Sequence, residues 1–211
     1  MTAPAGQAPL PALTGSSRLV AAPLVRAALI TLMLGGAIGA RWAATVGALA
    51  DGIVVGAAFG VVLVVGASLA GWRPRVVPGR QFAANVALGL GGAAALVAVA
   101  LAVRWPGPWL PFDPAGSFLP WVAVTVLVAT AEELVLRGAL FDALDDATGS
   151  TAALLATTVL FALLHVPLYG WHVVPLDLGV GLFLGGLRLS TGGATAPAIA
   201  HVVADLATWW I

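Results

Sequence analysis

The sequence predicts an all-α fold, a polytopic membrane bundle of about seven transmembrane helices, within a range of six to eight. Three observations carry this prediction. Of the 211 residues, 61% are hydrophobic and only 9% are charged, whereas soluble domains carry roughly 25% charged residues. Apolar runs near the ~20 residues needed to cross hydrocarbon recur along the chain. The 26 glycines suit close helix packing in lipid.

Charge and cysteine content exclude several classes of partner. The formal net charge is zero, so no broad basic face indicates nucleic acid as a partner. The chain has no cysteine, which excludes disulfides and thiolate metal sites. We expect membrane lipid and a membrane-associated or peptide substrate as its partners.

The first part of the chain is predicted to hold a tail and three spans. Residues 1–17 are rich in Ala, Pro, Gly and Ser and lack the basic region of a signal peptide, so we expect a disordered tail. Residues 18–211 are predicted to form one transmembrane domain, because only short loops separate the apolar runs. Its first three spans are expected near residues 24–40, 52–72 and 82–103.

Four more helices are predicted in the second half. The fourth enters near Phe118 and runs inward, to about Leu144. The fifth begins at Ser150 or Thr151, either of which can cap it, and is expected to break at Pro167. The sixth and seventh are expected near residues 174–189 and 196–211.

Arginine placement predicts the orientation of the bundle. The loop at residues 72–80 holds three arginines, whereas the loops at Arg41 and Arg104 hold one each. Cytoplasmic loops are enriched in Arg and Lys, so this loop and the N-terminus are predicted to be cytoplasmic. The Pro- and Trp-rich segment 105–114 then lies at the far interface. We expect a multi-pass protein of a bacterial cytoplasmic (inner) membrane.

Two adjacent carboxylates, Glu132 and Glu133, lie within the fourth predicted helix. A charged side chain inside a bilayer costs about 2.5–3.5 kcal/mol on insertion scales, so it usually faces a partner or a water-filled cavity. Arg137 follows Glu133 by four residues and shares its helix face, whereas Glu132 points about 100° away. The alternative is that both glutamates only hold helices together through salt bridges.

Two histidines lie in apolar helices downstream. Phe161 and His165 are four residues apart, as are His201 and Asp205, so each pair shares a helix face. A single histidine in an apolar helix is more often a core residue than a catalytic one, but two of them beside an intramembrane glutamate pair favour a functional site. The third histidine, His172, is interpreted as interfacial.

These three motifs together resemble those of a known family. The patterns Glu132-Glu133-xxx-Arg137, Phe161-xxx-His165 and His201-xxx-Asp205 occur in this order in the CAAX prenyl protease and bacteriocin-processing (CPBP, or Abi) family of intramembrane proteases. The resemblance covers residues 118–210, which places the protease-like core at 118–211.

The resemblance implies an intramembrane endopeptidase that hydrolyses a peptide bond. Glu132, assisted by His165, would activate the attacking water, and His201 with Asp205 would stabilise the oxyanion. Glu133, Arg137 and Phe161 would support the site. The family more often has Asn at the last position, and an ionised Asp205 cannot donate a hydrogen bond. Asp205 is therefore either protonated or an acceptor that orients His201.

Metal dependence and two other functions stay open at this stage. Two histidines and a carboxylate, His165, His201 and Glu132, could bind zinc or another divalent metal with a free position for water, but we expect no cofactor. The family includes both metal-dependent and glutamic-type descriptions. The alternative functions are a non-catalytic membrane scaffold or bacteriocin-immunity protein, and a proton-coupled transporter that uses the same residues as a relay.

Overall fold

The computed structural model describes residues 15–73, 77–103 and 117–210, and within these residues it contains helices and no strand. Eight α-helices follow one another along the chain: α1 (Gly15–Val46), α2 (Gly52–Leu69), α3 (Gly79–Val103), α4 (Phe118–Glu133), α5 (Phe141–Thr148), α6 (Ser150–Tyr169), α7 (Val174–Thr191) and α8 (Thr195–Ala207). Of the predicted tail, residues 1–14 lie outside the described residues, whereas residues 15–17 belong to α1. Arg75, Arg104 and segment 105–114 also lie outside the described residues.

Helices α4 and α5 belong to one continuous helical rod, Phe118–Thr148, here called the central rod. The described chain therefore forms seven helical rods, and the predicted all-α membrane bundle is confirmed. Six of them are long and apolar enough to cross a membrane. The seventh, α8, has 13 residues and is shorter than the ~20 residues that a span needs.

Two predicted helix boundaries were wrong. Pro167 does not break α6, which continues to Tyr169 and ends at Gly170, where φ is 87°. A proline is tolerated inside a membrane helix where neighbouring groups satisfy the freed carbonyl, and glycine adopts this left-handed backbone without strain. Nor does a side chain cap α6, because Ser150 instead donates a 2.7 Å hydrogen bond to Asp145.

The central rod is the buried core of the bundle. Val135, Leu136 and Leu140 have no exposed surface, and α1, α2, α6 and α8 all pack around the rod. Small residues allow this close approach: a Cβ atom added to Gly60 of α2 would come within 2.8 Å of the side chain of Leu127 in α4. Such packing through small residues is typical of helices associating in lipid.

A π-helical segment, Leu134–Leu140, interrupts the central rod directly after the two glutamates. Sequence analysis predicted an unbroken α-helix here. Arg188 of α7 braces the segment: its Nε donates a 2.7 Å hydrogen bond to the carbonyl of Arg137, and its Nη2 donates one of 2.6 Å to Asp142. π-Helical turns inside α-helices often mark functional sites, and this one carries the predicted Arg137.

Candidate active site

Glu133 lies at the centre of a buried charge network that joins the central rod to α8. Its Oε1 accepts a 2.7 Å hydrogen bond from Nη1 of Arg137 and lies 3.0 Å from Nδ1 of His201. The side chains of Glu133 and Arg137 have no exposed surface. Removing one partner of such a pair leaves an uncompensated buried charge, so Glu133 holds both Arg137 and His201 in place.

Arg137 extends this network to α7. Its Nη2 donates a 3.2 Å hydrogen bond to the carbonyl oxygen of Gly181. Glycine at this position also lets α7 approach α6 closely, since a Cβ atom added to Gly181 would lie 3.1 Å from Thr158 of α6. The guanidinium of Arg137 therefore ties the central rod to α7 at the level of the site.

The ring of Phe161 packs among residues from all three sequence motifs. The guanidinium carbon of Arg137 lies 4.5 Å from its centroid, within cation–π range. The ring centroids of His165 and His201 lie 4.9 and 5.4 Å from it. Phe161 is buried, so α6 brings the predicted supporting residue to the point where the motifs meet.

His165 is oriented by the backbone of its own helix. Its Nδ1 lies 3.0 Å from the carbonyl oxygen of Phe161. A carbonyl oxygen can only accept a hydrogen bond, so Nδ1 carries the proton, and in the neutral imidazole Nε2 is left as an acceptor. The same Nδ1 lies 3.4 Å from Oδ2 of Asp177 in α7.

His201 has a carboxylate on each side of its ring. Its Nδ1 faces Glu133, and its Nε2 lies 3.4 Å from Oδ2 of Asp205. The side chain of His201 is 8% exposed and that of Asp205 is 46% exposed. The ring is therefore fixed on its buried side by Glu133, while its Nε2 faces the more open side of the site.

Glu132 is buried next to this network and is approached by a residue that sequence analysis placed elsewhere. Its Oε1 lies 3.9 Å from Nη1 of Arg41, whose guanidinium also lies over the ring of Phe59 at 4.7 Å. Arg41 was predicted to lie in a loop, but α1 continues past it to Val46. The apolar residues that follow Arg41 were the signal for this longer helix.

Asp177 is a second residue that sequence analysis missed. It lies inside the predicted sixth span, where the cost of a charge in the membrane applies to it as it does to Glu132. That argument could have found it, whereas its contact with His165 comes from the packing of α7 on α6. The remaining histidine, His172, is exposed in a short 3₁₀ turn.

The structure therefore brings most of the predicted residues into one continuous contact chain, which runs through Glu133, Arg137, Phe161, His165, His201 and Asp205. Glu132 adjoins this chain through its neighbour Glu133. Within the described ranges, no hydrogen bond or ion pair links Glu132 to either histidine, and its nearest charged partner is Arg41. A substrate or water between these side chains would complete the connection.

The residues named as metal ligands do not form a coordination set in this geometry. Across residues 15–73, 77–103 and 117–210, no group of three or more His, Asp or Glu side chains is arranged to hold a metal ion. Nδ1 of His201 is engaged by Glu133 and Nδ1 of His165 by a backbone carbonyl. With Nδ1 engaged, Nε2 is the nitrogen that either histidine could offer to a metal, as metal-binding histidines commonly do.

Comparison with known proteins identifies the second half of the chain. Residues 114–207 match the family described as Type II CAAX prenyl endopeptidase Rce1-like. Comparisons with curated proteins and with solved structures gave no match. The matched residues include all three motifs, so the resemblance read from the motifs is confirmed. This multi-pass membrane protein is therefore similar, over residues 114–207, to the Rce1-like family of type II CAAX prenyl endopeptidases.

Proposed function

We propose that this protein is an intramembrane endopeptidase that hydrolyses a peptide bond in a membrane-associated substrate without a bound metal. The observation that carries this proposal is the convergence of the three motifs on the ring of Phe161, inside a domain of a protease family. Glu132 is the general base and His165 its assistant. His201 and Asp205 act on the oxyanion, as the family resemblance implies.

Glu132 has the chemistry and the surroundings for a general base. Its carboxylate takes a proton from water, and the resulting hydroxide attacks the carbonyl carbon of the scissile bond. Nε2 of His165, the acceptor left by the Phe161 hydrogen bond, holds that water in line. When the tetrahedral intermediate collapses, the same glutamic acid returns the proton to the leaving amine.

His201 is the donor to the oxyanion. Glu133 accepts from Nδ1, which fixes the ring much as a buried carboxylate orients the histidine of a catalytic triad. In the imidazolium form, in which both ring nitrogens carry a proton, Nε2–H points toward the open side, where Asp205 is its acceptor at 3.4 Å. A developing oxyanion takes over this hydrogen bond in the transition state, where such donors contribute most to catalysis. Asp205 is in this scheme the acceptor that orients His201.

The proposal is tested in three membrane samples, which contain the wild-type protein, the Glu132→Gln variant or the His165→Ala variant. The peptide termini newly created by cleavage are identified and compared between the samples. A peptide that ends in a prenylated CAAX sequence, added to the purified protein, tests the substrate class in the family description. We expect termini that appear with the wild type and disappear in both variants. Unchanged cleavage in the variants would sink the protease function and favour the membrane scaffold.

Metal dependence is tested on the same cleavage. We expect dialysis against EDTA, and then against 1,10-phenanthroline, to leave the rate unchanged, because the donor atoms of Glu132, His165 and His201 are not arranged as a ligand set. A rate that falls with chelation and returns on adding zinc would instead establish a metalloprotease.

A further inference from the structure

A cavity of about 440 Å³ lies beside the candidate active site, between α3, α4 and α8. Its volume is within the range of small-molecule pockets, about 300–1,000 Å³. Most of its wall is apolar, including Phe82, Val126, Leu134, Ile199 and Val202. No side chain assigned above to water activation or the oxyanion lines this cavity, here called the Asn85 cavity, and it meets the candidate site through Arg137.

Two residues on its wall carry buried N–H groups that lack a hydrogen-bond partner. Asn85 of α3 is 3% exposed, and within the described residues its Nδ2 bonds to nothing. Arg137 also lines the cavity, and its Nε is likewise buried without a partner there. An unpaired buried donor loses about 1–3 kcal/mol of hydrogen bonding to water. A ligand that offers a hydrogen-bond acceptor would therefore satisfy these donors.

The charged groups around the cavity are already compensated. Arg137 is paired with Glu133 at 2.7 Å, and Arg188 with Asp142 at 2.6 Å. An anionic group would have to compete with these carboxylates for the same cations. The donor of Asn85 carries no charge. A neutral acceptor, such as a carbonyl oxygen, fits this balance better than a phosphate or a carboxylate.

We infer that the Asn85 cavity binds a diacyl membrane lipid, with an acyl chain against the apolar wall and an ester carbonyl accepting a hydrogen bond from Asn85. The six membrane-length helices place the chain in a bilayer, where such lipids surround it. An extended peptide fits less well, because it brings an N–H group for every carbonyl and the apolar wall would leave those groups unpaired. Lipid binding here does not depend on the proposed protease activity.

The test compares two lipids that differ only in the acceptor. Purified, delipidated full-length protein is titrated with dioleoyl phosphatidylglycerol and with its diether analogue, and bound lipid is measured by native mass spectrometry. We expect the wild type to bind the diester about fivefold more tightly, the effect of one hydrogen bond. In Asn85→Leu the two affinities become equal. Asn85→Ser, which keeps a smaller donor, retains part of the preference.

Two cavity-filling variants localise the binding. Ala198→Phe fills the Asn85 cavity, whereas Ala95→Phe fills a separate apolar cavity of about 270 Å³ against α7. We expect the first to lose tight binding of the diester and the second to keep it. Equal affinity of the wild type for both lipids, or unchanged binding in a folded Ala198→Phe protein, would overturn the inference. Displacement of lipid by an unprenylated Ala- and Leu-rich peptide, blocked only by Ala198→Phe, would instead assign the cavity to a peptide.

Discussion

Glu132 and Glu133 are neighbours in the chain but have different surroundings. Glu133 is fully buried and contacts both Arg137 and His201, whereas Glu132 has Arg41 as its nearest charged partner at 3.9 Å. Because the ion pair of Glu133 is short and completely desolvated, that residue contributes chiefly to the stability of the site. Glu132 has fewer fixed contacts, although it too is buried, with 3% of its surface exposed.

Glu133→Gln is therefore expected to lower the free energy of unfolding far more than Glu132→Gln does. Removing one charge of a fully buried pair costs about 3–5 kcal/mol, and here Arg137 would be left uncompensated. Unfolding in a mild detergent titrated with SDS measures the difference. Equal destabilisation by the two variants would contradict the division of roles between these glutamates, and loss of proteolysis in a stable Glu132→Gln protein would support it.

Arg41 is expected to favour the ionised form of Glu132. Its guanidinium is 21% exposed and 3.9 Å from the carboxylate, so it stabilises the ionised form that accepts a proton from water. We expect Arg41→Gln to lower kcat about tenfold with little change in KM, the effect of losing about 1.4 kcal/mol of charge stabilisation. Arg41→Lys, which keeps the charge, should recover part of the rate. Wild-type kcat in Arg41→Gln would show that Glu132 does not need this arginine.

At the scale of the elements, the π-helical segment joins the candidate site to the end of α2. Asp142, just after the segment, accepts a 3.2 Å hydrogen bond from Nε1 of Trp72. The indole reaches it because position 138 is glycine: a Cβ atom there would come within 2.7 Å of the Trp72 ring. Gly138 thus fixes the distance between the central rod and the loop that follows α2.

Gly138→Ala is expected to displace the Trp72 ring and lower the free energy of unfolding by about 1–3 kcal/mol, as overpacked cores do. The matched control is Gly186→Ala in α7, where an added Cβ atom meets nothing within 4 Å. The control should be neutral or slightly stabilising, since alanine favours helix over glycine. Thermal unfolding of both variants in the same detergent, followed by tryptophan fluorescence, measures the contrast. A Gly138→Ala protein as stable as the control would show that Trp72 shifts without cost.

At the scale of the whole molecule, the turns between helices divide into two groups at opposite ends of the bundle. The arginine-rich turn before α3 was predicted to be cytoplasmic. Because successive rods cross the membrane in alternate directions, the α1–α2 and α6–α7 turns then lie on the far side. His165 lies one turn of helix before the end of α6, so the candidate site is nearer that far side than its glutamates alone suggested.

The chain has no cysteine, so single-cysteine variants test this orientation directly. We expect a membrane-impermeant maleimide to label Ala50→Cys and Trp171→Cys in intact cells, and to label Pro78→Cys only after permeabilisation. All three positions are exposed in turns or at helix ends. The reverse labelling pattern would place the N-terminus outside the cytoplasm and turn the bundle over.

The sequence by itself determined the class of the fold and the identity of the motif residues. Composition and apolar run length decide membrane insertion, because each span is selected by its own hydrophobicity. Glu132 and Glu133 could be recognised from the sequence because a charged side chain inside a membrane is energetically costly and usually functional. The spacing of four residues also predicted the ion pair between Glu133 and Arg137, since that contact lies within one helix.

Only the tertiary structure decided which residues meet across helices. The length of α1 beyond Arg41, the π-helical segment, the Asp177 contact and the orphan donor of Asn85 all depend on how neighbouring helices pack. The continuation of α6 through Pro167 to Tyr169 was likewise visible only in the structure. A single sequence specifies the periodicity within each helix, whereas the register between helices is set by side-chain fit that no local pattern contains.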